Sequence, residues 1–381
     1  MINDLEELRQ VWFFDVAFNQ VNEEEIYFVS GWFNALIKAN ITTGNGECIK
    51  KLDDEIMEKM FLSRSLLCIQ NKILIIPYNA MYIYIYDMET NALEKMVISE
   101  DELLEKNYKF FTGFQYQNNI YLIPLYFPYL VQLDFLERKS VRCMDLSQLF
   151  AGKQISKLGI AFQYTTKGYV LLENQTQWGI IDLESGKIHV KTFDIGQIVS
   201  ASSAYANKVV VLTSNAELYE IDLQKEDTKL VQKIDKNIVF TEYPFIEYFN
   251  DKVFVFSQHQ NIIVIIDVST GGIKIIAETE ECEYKNSLWR YWKWNWLFAK
   301  VYDNGVVAFN ARNNSIYFFD QTGKIRKKTN IKLKELPEDV RLYMPCYRQS
   351  SEAYYYPYNR LESLIELMTL DDEIKESSLV D

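Results

Sequence analysis

The 381-residue sequence predicts an all-β fold made of repeated four-stranded units, and three observations support this prediction. A short apolar run recurs seven times along the chain, at intervals of 40 to 53 residues. A second apolar run follows each copy and ends at an Asp or Asn, 13 or 14 residues after the first run begins. A turn-forming string and a further alternating run come next. Self-similarity at a nearly constant period is the signature of a repeat architecture.

The first two runs are predicted to be strands because β-branched and aromatic residues fill them. The seven copies of the first run begin at Ile26, Ile73, Ile120, Tyr169, Val209, Val253 and Val306. The polar residues that end the second run are Asn40, Asp87, Asp134, Asp182, Asp222, Asp267 and Asp320. An Asp at this place, before a Ser- or Thr-containing turn, accepts backbone N–H bonds, so we interpret these residues as turn formers.

Two more strands complete each unit. One follows the turn, as in Lys187-Ile-His-Val190, and the other precedes the first run, as in 65–70. Gly and Asn supply the tight turns between antiparallel neighbours. Each unit therefore contains four strands.

Repeated four-stranded units of this length resemble the blades of a β-propeller, and an apolar run that ends in Asp before a Thr-Gly turn is similar to the blades of WD-repeat and quinoprotein-like propellers. The resemblance covers nearly the whole chain. It identifies no specific family, since there is no Gly-His…Trp-Asp pairing and no double glycine of the kelch type in every unit. It implies a closed ring, because a lone blade exposes two apolar faces and two edges.

We predict a single propeller domain over residues 1–381, with eight blades favoured. The eighth blade is expected because Ala353 lies 47 residues after Val306 and because the Pro-Tyr-Asn string at Pro77 recurs at Pro357. The alternative is seven blades plus a C-terminal helix or acidic tail over 360–381, where apolar residues also fit a helical spacing. The predicted blades span roughly 11–55, 60–100, 108–147, 156–194, 198–236, 242–281, 290–332 and 340–381.

Charge and composition limit the partners and the compartment. Forty basic and 53 acidic residues give a net charge of −13, and we find no local basic patch, so we expect neither nucleic acid nor a membrane as a partner. An acidic N-terminus and five irregularly spaced cysteines are typical of a soluble cytoplasmic protein with free thiols. Heavy use of Ile, Lys, Asn and Tyr indicates a bacterial source.

The residues for catalysis are few. Only two histidines occur, no Gly-rich phosphate loop is present, and no Cys or His pair has metal-ligand spacing. We therefore predict no catalytic residues, no metal site and no cofactor, and we leave the question of an enzyme open while favouring none. His189 is expected to be solvated or packed, whereas His259 follows a strand end and is kept as a binding candidate.

One aromatic segment departs from the repeat: Trp289-Arg-Tyr-Trp-Lys-Trp-Asn-Trp-Leu-Phe298 holds four of the seven tryptophans. Trp292, Trp294, Trp296 and Phe298 alternate, so on a strand they would share one face. They either pack between blades or form an aromatic platform at the mouth of the ring. The candidate binding residues are Trp289, Arg290, Tyr291, Trp292, Trp294, Tyr354, Tyr356, Tyr358, Tyr78, Tyr126 and His259.

These observations favour a non-catalytic binding or scaffold module. It would present loops and the aromatic patch at the propeller mouth to a protein or peptide, and we expect it to be a monomer. The alternative is a carbohydrate-binding or small-ligand-binding protein, or an enzyme, that uses carboxylates gathered around the central channel. Both hypotheses are compatible with the same fold, so the architecture alone does not distinguish a binding scaffold from a ligand-binding protein or an enzyme.

Overall fold

The computed structural model describes residues 11–335 except for 12, 20–21, 32–33, 53–54, 56–60, 99–107, 126, 151–157, 173–175, 235–243, 258–259 and 278–294. Within these residues it contains seven sheets of four consecutive antiparallel strands, and one of the seven gains a fifth strand. We number the sheets as blades 1 to 7 in chain order. The all-β prediction and the four-stranded unit are both confirmed.

The strands follow one another without crossovers within each blade. Blade 1 contains β1 (Ala17–Phe18), β2 (Glu25–Val29), β3 (Ala35–Asn40) and β4 (Asn45–Lys51); blade 2 contains β5 (Ser63–Ile69), β6 (Lys72–Pro77), β7 (Tyr82–Asp87) and β8 (Leu93–Val97); blade 3 contains β9 (Phe110–Tyr116), β10 (Asn119–Pro124), β11 (Tyr129–Asp134) and β12 (Lys139–Asp145). Blade 4 contains β13 (Leu158–Tyr164), β14 (Lys167–Leu172), β15 (Gln177–Asp182) and β16 (Ile188–Thr192); blade 5 contains β17 (Ile198–Ala201), β18 (Lys208–Thr213), β19 (Glu217–Asp222) and β20 (Asp227–Lys233). Blade 6 contains β21 (Phe245–Phe249), β22 (Lys252–Phe256), β23 (Ile262–Asp267) and β24 (Ile273–Ala277); blade 7 contains β25 (Trp296–Tyr302), β26 (Gly305–Asn310), β27 (Ser315–Asp320) and β28 (Ile325–Asn330). Two further elements are the short helix α1 (Ser147–Phe150) and the strand β29 (Lys332–Leu333).

The first strand of each blade lies nearest the ring axis and the fourth lies at the perimeter. First strands of neighbouring blades contact each other, as β5 does with β9 and β21 does with β25. The fourth strands carry most of the exposed residues, as in β24. Among the described residues no helix is long and apolar enough to cross a bilayer.

The middle strands are buried on both faces because each blade lies between two others. In β6, Ile73 and Ile75 belong to the core shared with blade 1, whereas Leu74 and Ile76 belong to the core shared with blade 3. Successive strand residues point to opposite faces, so a continuous apolar run supplies both cores at once. This explains why the sequence repeat consists of continuous apolar runs and not of apolar residues that alternate with polar ones.

The hairpin between the third and fourth strands is held by the Asp or Asn that ends the third strand. The Oδ1 atom of Asp87 accepts the backbone N–H groups of Glu89 and Thr90, both at 3.0 Å. The bond from the Thr90 N–H lowers the pKa of Asp87 most. The hydrogen bond from the Lys72 ammonium and the bond from the Glu89 N–H lower it further, to about 2. Two backbone N–H groups are accepted in the same way by Asn40, Asp134, Asp182, Asp222, Asp267 and Asp320. The turn interpretation of these residues is confirmed.

Blade 7 packs directly against blade 1. The Phe13 ring stacks on Phe28 at 4.0 Å between centroids and on Phe309 of blade 7 at 4.1 Å. On the outside, β29 leaves blade 7 and pairs in parallel with β4, with the Lys332 N–H donating to the Gly44 carbonyl at 2.8 Å. The seam between the chain ends is therefore closed by both core packing and hydrogen bonds.

Asn314 ties the two ends together within this seam. It is fully buried in the turn between β26 and β27, with φ at +54°. Its Oδ1 atom accepts the Val11 N–H at 3.2 Å, and its amide donates to the Ile331 carbonyl. One side chain thus contacts residues before the first strand and after the last strand of the ring.

The predicted preference for eight blades is wrong, and the seven blades of the alternative are confirmed. The C-terminal helix or tail of that alternative, over 360–381, lies outside the described residues. Contact between blades 7 and 1 leaves no gap in the ring for another blade. The predicted eighth range, 340–381, lies outside the described residues. Spacing along the sequence suggested an eighth unit, but the packing of Phe13 against Phe309 is a long-range contact that spacing does not reveal.

Candidate functional site

Most of the predicted binding residues lie outside the described part of the chain. These are Trp289, Arg290, Tyr291, Trp292, Trp294, Tyr354, Tyr356, Tyr358, Tyr126 and His259. Tyr78 is described, and His189 is exposed on β16 as expected. The aromatic platform therefore stays a prediction.

Tyr78 follows β6 and is 8% exposed. Its hydroxyl accepts a hydrogen bond from the Arg64 guanidinium at 3.3 Å, and the same guanidinium lies 5.0 Å from the centre of its ring. The ring also meets Tyr108 edge-on at 5.2 Å. Arg64 also lies over Phe14, 4.5 Å from the ring centre, so Tyr78 belongs to a cation and aromatic stack between blades 1, 2 and 3. Its ring is enclosed by these neighbours and offers little open surface for a ligand.

The end of the aromatic segment packs between blades, and its members do not all share a face. Trp296 is buried against Phe256 and Tyr317, in the core between blades 6 and 7. Phe298 lies in the core between blades 7 and 1. The predicted shared face is wrong here because a β-bulge between these residues shifts the register of β25 against β26 and reverses the alternation.

Four polar residues form an arc around the ring axis, which we call the axial arc: Ser203 of blade 5, Glu247 of blade 6, Lys300 of blade 7, and Asp15, which precedes β1. Glu247 and Lys300 lie at equivalent positions of their inner strands, opposite Phe254 and Val307. The Ser203 hydroxyl donates to the Glu247 carboxyl. The Lys300 ammonium donates to Asp15 Oδ1 at 2.6 Å. Each member of the arc thus faces the next blade around the ring.

Glu247 is the buried acid of the arc. Its side chain is 6% exposed, and burial raises its pKa to about 7, against smaller lowering effects from Ser203 and from the nearby Lys300 ammonium. A carboxyl group with this pKa exchanges a proton near neutral pH. Such groups are typical of functional sites, although structural networks also produce them.

Both carboxylate oxygens of Asp15 accept hydrogen bonds, and these bonds join neighbouring blades. Its Oδ1 atom also accepts the Val16 N–H at 2.8 Å, and its Oδ2 atom accepts the Leu66 N–H of β5 at 2.8 Å. Lys300 donates a second bond to the Val16 carbonyl at 2.6 Å. The free edges of inner strands need such partners, because no further strand pairs with them.

Other inner strands in the described part of the chain use uncharged side chains for the same purpose. The Gln163 amide donates to the Gln115 carbonyl at 2.6 Å and accepts the Gln115 N–H at 2.9 Å. The Ser200 hydroxyl donates to the Pro244 carbonyl at 2.5 Å. Among the described residues, the charged members of the axial arc belong to blades 6 and 7 and to the segment entering blade 1.

The axial arc was not among the sequence predictions. Its signal is a charged residue inside an otherwise apolar strand, as in Phe-Ile-Glu-Tyr-Phe around Glu247 and Trp-Leu-Phe-Ala-Lys around Lys300. Charges at such positions are costly unless they are paired, so they mark a polar site in a core. Within the described ranges, no three His, Cys, Asp or Glu side chains are close enough to hold a metal ion.

A second candidate surface lies on the perimeter at β24, whose sequence is Ile-Lys-Ile-Ile-Ala. Four of its five residues are apolar, more than in any other described outer strand. Ile273 is 41% exposed and Ile275 is 51% exposed, while Ile276 packs against the core between blades 6 and 7. Among the described residues β24 pairs with β23 alone, so no described strand covers its outer edge.

Comparisons with known proteins give the fold alone. No family model and no curated protein matches the chain. Among solved structures it is similar to PorZ, an essential bacterial surface component of the type-IX secretion system of Porphyromonas gingivalis, with a TM-score of 0.56, 10% identity and 86% of this chain covered. It is also similar to the computationally designed Ika8 protein, with a TM-score of 0.54 and 10% identity over 87% of this chain and 92% of that one.

A third similar structure is the extracellular domain of BT3049 from B. thetaiotaomicron, with a TM-score of 0.50 and 15% identity over 83% of this chain. The chain spans 39% of the PorZ chain and 39% of the BT3049 chain. At such identities the likeness concerns the arrangement of strands. By its architecture, the chain is a seven-bladed β-propeller of no specific family.

Proposed function

We propose that this protein is a non-catalytic binding scaffold that holds a protein or peptide partner on its propeller. The observation that supports this proposal best is the apolar outer edge of β24, which none of the described strands covers. An extended peptide can add to such an edge, with main-chain hydrogen bonds giving affinity and the exposed side chains giving specificity.

The ring itself contains an example of this kind of addition. The strand β29 lies on the outer edge of blade 1, where the Lys332 and Lys334 N–H groups donate to the Gly44 and Gly46 carbonyls at 2.8 and 2.9 Å. Leu333 is buried against blade 1. An outer edge of this propeller is thus compatible with a fifth strand that carries an apolar side chain.

The proposed occupant of the β24 edge is an extended segment with apolar residues at alternate positions, because Ile273 and Ile275 are exposed on one face of the strand. The aromatic segment with Trp289, Arg290, Tyr291, Trp292 and Trp294 begins twelve residues after β24 ends in the sequence. We include it in the proposed surface as a contact for the same partner.

The test is selection of peptides from a random displayed library on the full chain, followed by calorimetry with each selected peptide. Ile275→Lys places a charge on the edge and should weaken binding by about tenfold. Val190→Lys makes the same kind of change on β16, where Val190 is also exposed, and should leave the affinity within about twofold. Selected peptides that bind both variants and the wild type equally would contradict the proposed edge.

A second candidate function is a site for a carbohydrate or another small ligand, or an enzymatic site, at the ring axis. The observation that favours it is the buried Glu247 carboxyl with its pKa of about 7 beside Lys300. A screen of glycans by ligand-induced shifts in melting temperature tests it. A shift in the wild type that Glu247→Gln abolishes would favour this second function over the scaffold.

A further inference from the structure

A basic strip lies on the outside of the seam between blades 7 and 1. Six of the eleven residues from Lys324 to Lys334 are Lys or Arg and none is acidic, in a chain whose net charge is −13. The strip is defined by Lys324, Arg326, Lys327, Lys328, Lys332 and Lys334 on β28, β29 and their flanks. The expectation that the chain has no local basic patch is therefore wrong.

The β29 part of the strip is held in a fixed, extended form. Ile331 and Leu333 are buried at 0% and 1% exposure, whereas Lys332 and Lys334 are exposed. The two lysine N–H groups are bonded to the carbonyls of blade 1, so the backbone cannot rotate freely. Residues two apart in a strand point the same way at a separation of roughly 7 Å. Two ammonium groups are thus displayed side by side on the surface.

The β28 part of the strip adds two kinds of cation. Some contact neighbouring side chains at the seam, and others are exposed. The Lys327 ammonium donates to the Thr42 hydroxyl of blade 1 at 2.7 Å, and the Lys328 ammonium lies 5.1 Å from the centre of the Tyr317 ring. Arg326 is exposed. The Arg326 guanidinium contributes to lowering the pKa of the Asp320 carboxyl, so part of its charge is already balanced. Within the described part of the chain, Lys332 and Lys334 form no ion pair within 4.0 Å, and their charges are available to a partner.

We propose that this strip binds an extended acidic segment of a protein partner, with carboxylates at alternate positions meeting Lys332, Lys334 and Arg326. An extended segment repeats its side-chain direction every second residue, which matches the spacing of Lys332 and Lys334. Charge-assisted hydrogen bonds between carboxylate and Lys or Arg supply the contact.

The strip fits a short acidic segment better than a polyanion. It follows a single line of extended chain, whereas a nucleic acid duplex presents two phosphate backbones with one charge per roughly 1.7 Å of its axis. The net charge of −13 repels an extended polyanion or an anionic bilayer beyond the strip. This surface differs from the β24 edge, so the proposal goes beyond the proposed function and is tested with separate variants.

The probe is a fluorescein-labelled peptide of about ten residues in which Glu and Thr alternate, and its binding to the full chain is followed by fluorescence anisotropy at low salt. The double variant Lys332→Glu, Lys334→Glu should bind about tenfold more weakly or worse. The affinity of the wild type should also fall as salt is added. A control double variant, Lys139→Glu with Lys229→Glu, changes the net charge equally on outer strands of blades 3 and 5 and should bind within about twofold of the wild type.

Equal weakening in both double variants, or no binding by the wild type, would overturn the proposal. The neutral double variant Lys332→Gln, Lys334→Gln keeps the test valid if charge reversal unfolds the seam, and it should weaken binding while its melting temperature stays that of the wild type. Tighter, strip-dependent binding to a DNA duplex or to phosphatidylserine vesicles than to the peptide would also overturn the acidic segment as occupant.

Discussion

Lys300 and Asp15 join the last blade to the first, with 2.6 Å between Nζ and Oδ1, although the two residues are 285 positions apart in the chain. The same ammonium donates to the Val16 carbonyl at 2.6 Å. An ion pair inside one hairpin stabilises that hairpin alone. This pair stabilises the closure of the whole ring, because it acts between blades whose chain segments are distant in sequence.

Replacing Lys300 should therefore destabilise the ring. Lys300→Met removes both hydrogen bonds and leaves the partly buried Asp15 carboxylate without its cation. We expect the free energy of unfolding to fall by about 1–3 kcal/mol, measured by urea denaturation.

The matched control for this prediction is Lys252→Met. Lys252 pairs with Asp267 at 2.7 Å with similar exposure, but both residues lie within blade 6. Asp267 keeps its turn bonds to the Ser269 and Thr270 N–H groups in the variant, so the loss should be below about 1 kcal/mol. Equal losses in the two variants would contradict a special role for the seam.

Gly44 should be required for the attachment of β29. Its φ is +77°, and a Cβ atom there would lie 2.0 Å from the Asn330 carbonyl oxygen. Gly44→Ala should lower the free energy of unfolding by more than about 2 kcal/mol, because it adds a backbone clash to the strain of a positive φ. Hydrogen exchange should become faster at the Lys332 and Lys334 amides.

Gly186→Ala isolates the strain from the clash. Gly186 has a φ of +69°, but the nearest atom to an added Cβ would be Met144 Cε at 3.8 Å. We expect a cost of about 1–2 kcal/mol and unchanged exchange at β29. If Gly44→Ala behaved in the same way, β29 would not depend on the close approach of Asn330.

Asn314→Ala should destabilise the seam more than the same change at an exposed turn. The variant loses the bonds to Val11 and Ile331 and leaves two buried backbone groups unpaired, which costs about 2–4 kcal/mol. Asn250 has a similar φ of +49° in the exposed turn after β21, and Asn250→Ala should cost about 1 kcal/mol. Thermal and urea unfolding of both variants test the difference, and a smaller loss at Asn314 would be inconsistent with its bridging role.

Glu247 should make stability fall as the pH rises toward neutrality. Its pKa is about 7 in the folded chain against 4.5 for an ordinary Glu, so the folded state binds more protons between these values. The favourable contribution is complete below about pH 4.5 and is lost as the pH passes 7. The loss amounts to about 3 kcal/mol at alkaline pH.

Glu247→Gln should remove this pH dependence. The neutral amide accepts the Ser203 hydroxyl bond without a buried charge, so the variant should be more stable than the wild type at pH 8 and similar to it at pH 4. Urea unfolding across this pH range measures both curves. Parallel curves for the two proteins would show that the Glu247 carboxyl titrates normally.

The fold was predictable from local patterns, whereas its closure was not. Each blade is formed by residues that are close in sequence: short apolar runs make the strands, and an Asp such as Asp87 holds the turn after the third strand. The sequence alone therefore indicates the four strands of each unit. The number of blades depends on which surfaces meet at the seam. The stacking of Phe13 on Phe309 decides that number. These two residues are nearly 300 positions apart in the sequence but lie side by side where blade 7 meets blade 1.

The axial arc was missed for a related reason. Ser203, Glu247, Lys300 and Asp15 come from different blades, and no local spacing relates them. The face of Phe298 was wrongly assigned because a single bulge reverses strand alternation. The basic residues from Lys324 to Lys334, in contrast, lie close together in the sequence. They were overlooked because the expectation was based on the net charge of the whole chain, which is −13.

The most direct test of the binding scaffold is a hydrogen-exchange footprint of the full chain with and without the tightest peptide from the library selection. If the protein is a binding scaffold, exchange should slow on binding at the β24 edge, Ile273–Ala277, and should not change at the inner strand β21 that carries Glu247. Protection at β21 without protection at β24 would contradict the scaffold and favour a ligand site at the ring axis.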